Sequence, residues 1–396
     1  MSRIVVTGMG VISAIGNTVA ENHSALINGS CGIGQLQDFP SKYAGELPFA
    51  AVKLSTEKLK QILGVTDPSV TRTTLLAMAA FTEAIQDAAL AAATLSSLGT
   101  ALIGASTVGG MCLADELYRD ANESYKESPY LSSYDCASVF LYMQKHYQLR
   151  GLINTINTAC SSSANAIMYG ARLIQNGLAI KAIVGGADSL SKFTINGFHA
   201  LHILSPEICT PFDENRQGLN LGEGAAFLVL EKAEDAAGKK IYAEVKGYCN
   251  TTDAFHPSSL SDNGDGPYLA MQGALASAKL HAADIDFINA HGTGTENNDL
   301  AESRAMQRIF DHVPPFSSTK SFTGHTLGAA GAIEAVYSIL NIINGETHPT
   351  LHFNNTIPDT GLTPVTTHQS IKAKHVMSNS FGFGGNCSSL IFSSVS

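Results

Sequence analysis

The sequence predicts an α/β protein built from two similar halves. Charged residues make up 15% of the 396 residues and hydrophobic residues 44%, with 36 glycines, which indicates a large packed interior. Predicted strands alternate with predicted helices along the chain, an order typical of parallel sheets covered by helices on both faces. The same series of elements occurs twice, and this repetition predicts an internal duplication.

Each predicted half begins with a strand and continues with an alanine-rich helix. The first strands are RIVVTGMG near the N-terminus and KIYAEVKGYCN from Lys240, and the helices are TLLAMAAFTEAIQDAAL and YLAMQGALASAKL. An apolar strand then ends in small or polar residues, TALIGAST in the first half and IDFINAHGTGT in the second. Ligands bind beyond the carboxyl ends of such strands, so we expect the site where these ends converge.

A second long helix with one buried stripe is predicted in each half. Its apolar residues recur with spacings typical of a helix, and a glycine suited to a left-handed C-cap follows. The positions are Ala164, Ile167, Ala171, Ile174 and Gly177 in the first half, and Ile333, Val336, Leu340, Ile343 and Gly345 in the second. The strands GAAFLVLE and NCSSLIFS close the halves, which we divide into residues 1–238 and 239–396 at EDAAGKK.

Charge and cysteine content limit the function classes. A net charge of −10 argues against general nucleic-acid binding, which needs a basic surface. The seven cysteines form no CxxC pair, which favours a reducing compartment and predicts a cytoplasmic protein. We read the N-terminus as a strand and not a signal peptide, and we expect no membrane span.

Three residues are candidates for chemistry because each lies where a strand ends or a helix begins. Cys160 in NTACSSSANAI precedes a predicted helix, where the helix dipole would lower the pKa of a thiol. His291 in NAHGTGT follows a strand, and His325 in STKSFTGHTLGAAG precedes the long helix of the second half. Taken singly, a buried structural cysteine and two ordinary loop histidines are the more common interpretation. Their matching places in a duplicated fold favour a shared site.

Two other sites are disfavoured by the sequence. The first is a dinucleotide-binding site, whose glycine-rich fingerprint follows a strand. VVTGMGVIS lies in a suitable place, but it has Ser13 where the fingerprint needs its last glycine. Cys160, His291 and His325 include no short-range ligand pair, so nothing in their spacing favours zinc and we predict no metal.

Taken together, the motifs resemble those of the β-ketoacyl-[acyl-carrier-protein] synthases. NTACSSSANAI is similar to that family's nucleophile motif, NAHGTGT to its first histidine motif, and STKSFTGHTLGAAGAIEA to its lysine and second histidine motif. NSFGFGGN is similar to its glycine-rich C-terminal loop and VVTGMGVIS to its first strand. The resemblance runs along nearly the whole chain and implies a thiolase-like fold of five layers (α-β-α-β-α), usually as a homodimer.

The resemblance also implies a Cys-His-His site of the elongating type. Cys160 would hold the acyl chain, and His291 and His325 would stabilise the enolate that forms when malonyl carrier loses carbon dioxide. Lys320 and Glu334 match the family's supporting residues. The other condensing class has asparagine where His325 stands. No metal or redox cofactor is implied, since the substrates ride on the phosphopantetheine arm of an acyl carrier protein.

Less specific assignments concern the edges of the site. The resemblance implies an oxyanion hole formed by the backbone N–H groups of Cys160 and Phe383, and Phe383 also matches the family's gating position. Val108 and Met111 are candidates for the acyl pocket. The candidates for carrier docking are Lys58, Lys60, Arg72 and Arg216. The stretch VKLSTEKLKQILGVTDPSVTRTT carries fewer basic residues than the family's carrier-docking patch, which favours a specialised polyketide or polyene pathway.

Two alternatives to an active condensing enzyme remain. The first is a non-catalytic partner similar to a chain-length factor, which would pair with a related ketosynthase, although such partners typically lack the nucleophile. The second is a thiolase, which needs another catalytic cysteine. Cys387 lies near the relevant loop, but GGNCSS does not fit the thiolase pattern.

Overall fold

The computed structural model describes residues 2–37, 39–123, 127–128 and 130–395. Its helices lie on both faces of a mixed sheet. The strands are β1 Ile4–Ser13, β2 Gly34–Gln35, β3 Pro48–Phe49, β4 Thr100–Ala105, β5 Ile153–Ile156, β6 Lys181–Asp188, β7 Gly224–Lys232, β8 Ala243–Thr252, β9 Phe287–Asn289, β10 Phe316–Ser317, β11 Glu346–Thr347, β12 Gln369–Ser370, β13 His375–Phe381 and β14 Asn386–Ser393. The helices are α1 Val19–Ile27, α2 Thr56–Leu63, α3 Arg72–Asp87, α4 Ala92–Leu95, α5 Ala114–Glu123, α6 Ser138–His146, α7 Ser162–Gln175, α8 Lys192–Ala200, α9 Asp265–Ala278, α10 Glu296–Ile309, α11 Lys320–Thr323 and α12 Ala330–Asn344.

The strand order confirms the predicted duplication. Ten strands are hydrogen-bonded in the order β10-β9-β13-β14-β8-β1-β7-β6-β4-β5. In the first half β1, β7 and β6 are antiparallel neighbours, whereas β4 and β5 add in parallel. The second half repeats this scheme with β8, β14 and β13 antiparallel and β9 and β10 parallel. The halves join where β1 pairs with β8 at Val5 and Val6.

The helices complete the five layers that the resemblance implied. Helix α3 packs on β1 and β7, on the outer face of the first half, and α9 packs on β8 and β14 in the second. Between the two half-sheets, α7 and α12 pack on each other. Because the middle layer has no solvent face, every residue of α12 from Ala330 to Ile342 is buried.

The buried apolar stripes that were predicted for the two long helices are confirmed at every residue except one. All four apolar positions of the α7 stripe are buried, and so are Ile333, Val336 and Leu340 of α12. Ile343 is 43% exposed, because α12 emerges from the middle layer in its last turn. Gly345 caps α12 in the left-handed conformation, with φ 64°. Residues 327–344 are long and apolar enough to cross a bilayer, but 89% of this segment is buried inside the protein, as in a core helix.

Candidate active site

Cys160 lies in a tight turn between β5 and α7. The preceding residue, Ala159, has φ 54°, a left-handed conformation that costs energy for a residue with a Cβ. The side chain of Ser162 fastens the turn, since its hydroxyl donates to the Ala159 carbonyl and accepts from the Thr158 N–H at 2.8 Å. Cys160 therefore precedes the first helical residue, Ser162, by two positions and faces a cavity instead of extending the helix.

The expectation that the thiol has a lowered pKa is wrong for the free protein. Burial raises the pKa of Cys160 to about 11, and its side chain is only 7% exposed. Hydrogen bonds from the Phe383 and Cys160 backbone N–H groups, and the charge of Lys320, lower the pKa by less than burial raises it. Desolvation thus outweighs the nearby helix terminus. The same two N–H groups lie at the sulfur, and their role as an oxyanion hole stays a prediction.

A buried carboxylate holds the backbone of His291 beyond the end of β9. Glu302 on α10 accepts the N–H groups of His291 and Gly292, one on each oxygen, both at 2.9 Å. Asn379 on β13 also donates to Glu302 at 3.1 Å. The histidine motif is therefore tied to a helix and a neighbouring strand, which fixes the side chain at the sheet edge.

The hydrogen bonds of His325 define its tautomer. Its Nδ1 accepts the backbone N–H of Leu327 at 3.1 Å, so the proton of the neutral ring resides on Nε2. Nε2 is buried and has no hydrogen-bond partner among the described residues, and His325 lines the cavity. An unpartnered buried N–H group of this kind can donate to a substrate oxygen.

Lys320 and Glu334 lie behind His291. The ammonium group of Lys320 forms a short contact with Glu334, donates to the His291 carbonyl at 2.6 Å and lies 3.2 Å from His291 Nδ1. An ammonium group can only donate, so it holds Nδ1 as an acceptor and leaves the proton on Nε2. Both neutral rings therefore carry their proton on Nε2.

Both imidazoles are neutral at physiological pH. Burial, together with the charge of Lys320, lowers the pKa values of His291 and His325 well below 6.5. Burial raises the pKa of Glu334 to about 7, against the attraction of Lys320. The site is thus a neutral thiol facing two neutral hydrogen-bond donors, with one cation behind them.

The three predicted residues converge although they come from different halves. The reactive atoms of Cys160, His291 and His325 all lie within 4.8 Å of one another. The two imidazole rings are 5.4 Å apart between centroids and nearly perpendicular, at 85°. This donor set could ligate a metal, but the ammonium group of Lys320 next to His291 opposes a dication. The prediction of no metal stays a prediction.

The three residues open onto a cavity of about 450 Å³. Its wall includes Phe383, the candidate gate residue, whose ring is stacked on that of Phe198 of α8 with 6.1 Å between the centroids. Much of the remaining wall is polar and carries side-chain amides and hydroxyls. These are Gln217, Ser258, Ser259, Thr293, Thr295, Asn297 and Asn298. The wall therefore combines apolar side chains with many hydrogen-bonding groups.

Two family models together match most of the chain. The beta-ketoacyl synthase N-terminal domain matches residues 1–236 and the C-terminal domain matches residues 242–354. The chain belongs to the β-ketoacyl synthase family. This ketosynthase is therefore an acyltransferase, and the recognition drawn from its motifs is confirmed.

Relatives and solved structures agree with this assignment. The ketosynthase is 35% identical to a putative mitochondrial 3-oxoacyl-[acyl-carrier-protein] synthase of Schizosaccharomyces pombe, over 99% of both chains. It is 32% identical to 3-oxoacyl-[acyl-carrier-protein] synthase 2 of Vibrio cholerae, over 98% of both. Among solved structures, the ishigamide ketosynthase/chain length factor superposes with TM-score 0.93 at 31% identity. A type II polyketide ketosynthase in complex with its acyl carrier protein superposes with TM-score 0.90 at 27% identity, and both matches cover 100% of each chain.

Two of the four docking candidates are not surface cations. The guanidinium group of Arg72 is buried against Glu223, with an N–O distance of 2.6 Å, and also donates to the Val52 carbonyl. Arg216 is 8% exposed, and its guanidinium group donates to three backbone carbonyls. Both assignments are corrected, because these arginines hold loops together. Lys58 is exposed and Lys60 is half-buried on α2, so both remain docking candidates.

The acyl-pocket candidates lie beside the cavity and not in its wall. Val108 is 8% exposed and packs in an apolar cluster with Leu190 and Leu327, and Met111 packs against the same cluster. Leu327 follows His325 by two positions, which connects this cluster to the catalytic loop. The cavity walls of the single chain do not include either candidate.

Sequence reasoning missed several carboxylates and amides that position the site. Asp188 at the end of β6 accepts the Gly328 N–H at 2.7 Å, which ties the loop after His325 to the first half. Asn386 joins the halves next to the Cys160 turn, since its Oδ1 accepts from Ser161 at 2.7 Å and from Asn165 at 2.9 Å. An acidic residue at a strand end, as at Asp188, was the only available signal for these contacts.

Proposed function

We propose that the ketosynthase catalyses a decarboxylative Claisen condensation of a Cys160-bound acyl chain with a malonyl group on an acyl carrier protein. The product is a 3-oxoacyl carrier. The observation that carries the proposal is the convergence of one thiol and two imidazole N–H donors within 4.8 Å in a cavity. A thiol supplies the acyl acceptor, and two neutral donors suit an enolate oxygen.

The first half-reaction transfers the acyl chain to the thiol. The sulfur of Cys160 attacks the thioester carbonyl, and the N–H groups of Cys160 and Phe383 stabilise the oxyanion. The carbon–sulfur bond to the carrier then breaks, and the carrier thiol leaves with the proton that Cys160 loses. Because the pKa of Cys160 is raised, the thiol is protonated before the substrate binds, and it loses its proton as it attacks the thioester.

The second half-reaction makes the carbon–carbon bond. The malonyl carboxylate leaves as carbon dioxide, and its bonding electrons move to the thioester oxygen. The Nε2–H groups of His291 and His325 donate to this enolate oxygen. The carbanion attacks the acyl carbonyl, and the Cys160 sulfur departs as a thiolate and takes a proton from water. Lys320 keeps the His291 proton on Nε2 throughout.

An acyl carrier protein is the proposed partner, and exposed Lys58 and half-buried Lys60 are its proposed docking residues. One solved relative is described as a ketosynthase with its acyl carrier protein, and another as a ketosynthase with its chain length factor. We propose that this chain dimerises, either with itself or with a related ketosynthase. The parallel edge strand β5, with the 41% exposed Leu152 beside it, offers an unpaired edge for such an interface.

The pathway and compartment are proposed at a coarser level. Similarity to both fatty acid synthases and polyketide ketosynthases supports fatty acid or specialised polyketide synthesis. The seven cysteines are all free, which suits a reducing compartment. The cytoplasm stays a prediction, since the relative in Schizosaccharomyces pombe is named as mitochondrial.

The arrangement of the site disfavours both alternatives. A non-catalytic partner needs neither a thiol nor two imidazoles in one cavity. A thiolase needs a second reactive cysteine, but Cys387 is fully buried in β14 and pairs across the sheet with Thr251. Cys160 is the only cysteine among the described residues that line the cavity.

Two substitutions of the thiol test the proposal. Cys160→Ala should abolish acyl transfer, and mass spectrometry of the wild-type protein should place the acyl adduct on Cys160. An adduct on another residue would contradict the assignment. Cys160→Gln should still release carbon dioxide from malonyl carrier, because the amide resembles an acylated cysteine. A folded Cys160→Gln protein without decarboxylation would count against the roles of His291 and His325.

A further inference from the structure

A twelve-residue segment, 253–264, closes one side of the active-site cavity, and we call it the lid. It connects β8 to α9, and three of its residues, Ser258, Ser259 and Leu260, line the cavity. Residues 254–258 are exposed, whereas Leu260 is 5% exposed and packs in a cluster with Phe381. The lid therefore has an exposed arm and a buried turn centred on Leu260.

Hydrogen bonds at the base and arm fix two points of the lid. Asp253 closes the base by accepting the Ser261 N–H at 3.0 Å and the Ser261 hydroxyl at 2.8 Å. The arm contacts the glycine-rich loop, where the Gly384 N–H donates to the Pro257 carbonyl at 2.7 Å. This second contact connects the lid to the loop that carries Phe383.

Two arginines of α10 also hold the lid after Ser261, since Arg304 donates to the Asp262 carbonyl and Arg308 to the Asn263 carbonyl, both at 2.8 Å. Leu260 itself is held by one side chain. The Leu260 N–H donates to Asn297 Oδ1 at 2.8 Å, and Asn297 Nδ2 donates to the Leu260 carbonyl at 3.0 Å. Asn297 is the second residue of α10 and itself lines the cavity. One amide thus satisfies both backbone groups of the residue that walls the site, as a neighbouring strand would.

We propose that Asn297 is a positioning residue that latches Leu260 over the cavity. The amide is suited to this role because it carries one donor and one acceptor, whereas aspartate lacks the donor and alanine lacks both. Leu260 is released from the cavity wall when both hydrogen bonds break together. Release of Leu260 widens the cavity for a substrate arm that approaches Cys160, and the closed lid excludes water from the acylated thiol.

The consequence concerns how a bound acyl chain is protected. A protein without the latch would admit substrate readily but would also admit water to the acyl thioester on Cys160. This part of the inference rests on the proposed acyl-enzyme. The access of reagents to the free thiol does not depend on the acyl-enzyme, so it can be measured without any carrier protein.

The experiment compares thiol access in Asn297→Ala, Asn297→Asp and wild type. The probes are iodoacetamide, which is small, and fluorescein maleimide, which is large, with modification of Cys160 quantified by mass spectrometry. Loss of two hydrogen bonds should accelerate labelling by the large reagent about tenfold or more in Asn297→Ala, with a smaller change for the small reagent. Asn297→Asp should also accelerate labelling, because it loses the donor.

Gln307→Ala is the matched control. Gln307 lies on the same helix, and its amide donates to the Thr360 carbonyl at 2.8 Å, outside the lid. Its labelling rate should equal that of wild type. Equal labelling of folded Asn297→Ala and wild type by the large reagent would overturn the proposal.

A measurement on the wild-type protein covers the case in which the variants fail to fold. Hydrogen exchange at the Leu260 amide should be slow relative to the exposed arm at residues 254–256. Exchange as fast as in the arm would overturn the latch. Absence of condensing activity in the wild-type protein, with labelling as expected, would instead contradict the proposed function and leave the latch standing.

Discussion

Lys320 and Glu334 form an ion pair that is buried beneath His291. Their side chains are 2% and 3% exposed, and the ammonium group also donates to the His291 carbonyl. A buried pair of this kind adds little net stability but is costly to break from one side. Its value here is positional, because it supplies the donor that keeps His291 Nδ1 free of a proton.

Replacing Lys320 with alanine should separate the two half-reactions. Without the ammonium group, His291 loses its fixed tautomer and decarboxylation should fall by about a hundredfold. Acylation of Cys160 should fall much less, because the oxyanion donors are backbone groups. Carbon dioxide release and the rate of acyl-adduct formation measure the two steps. Equal losses in both would contradict the assignment of Lys320 to the histidines.

The same substitution should also reduce stability. It leaves the Glu334 carboxyl group buried without its cation, which costs about 3–5 kcal/mol. Lys320→Ala with Glu334→Gln should recover part of this loss without recovering decarboxylation. Urea unfolding measures this loss. An unchanged free energy of unfolding in the Lys320→Ala variant would show that the ion pair between Lys320 and Glu334 does not form in solution.

Alkylation of Cys160 should depend steeply on pH. Because burial raises the pKa of this thiol to about 11, the thiolate fraction should increase about tenfold per pH unit through neutral pH. The rate of iodoacetamide modification should keep rising beyond pH 9.0, where an unperturbed thiol would level off. A plateau near neutral pH would mean that the thiolate is stabilised in the resting protein.

Acidification should destabilise the fold through the buried histidines of the candidate site. The pKa of His325 lies below 6.5 in the folded state, so the unfolded chain binds more protons and the stabilising contribution is lost as pH falls below 6.5. One histidine contributes at most about 1.4 kcal/mol per pH unit. His325→Asn should show a shallower fall in the free energy of unfolding between pH 6.5 and 5. Identical slopes would contradict the lowered pKa.

Adding a methyl group at Gly382 should damage the oxyanion hole. A Cβ there would lie 2.9 Å from the Thr158 carbonyl oxygen and 3.1 Å from the Cys160 nitrogen, so the backbone donors must shift. Gly382→Ala should slow acylation about tenfold or more. Gly197→Ala is the control, because a Cβ at that position on α8 meets no atom within 4 Å. Similar acylation rates in both variants would argue against a close fit.

Lys60 on α2 and the buried Arg72 allow a test of carrier docking. Lys60→Glu should raise the KM for the carrier protein with little change in kcat, and the difference should shrink at high salt. Arg72→Ala should instead lower the melting temperature, since Arg72 holds Glu223 in the interior. A KM effect at Arg72 with unchanged stability would restore it as a docking residue.

The sequence by itself determined the duplicated α/β architecture and the identity of the reactive residues. Periodic apolar positions specify helices and strands locally, and Cys160, His291 and His325 lie in motifs that stand at the ends of those elements. Only the tertiary structure decided what surrounds them. The pKa of the thiol depends on how completely the site excludes water, and the buried states of Arg72 and Arg216 depend on carboxylate and carbonyl partners far away in the chain. The Asn297 contact with Leu260 likewise joins residues 37 positions apart. Hydrogen bonds and desolvation between distant segments leave no periodic signal, so they become visible only once the chain is folded.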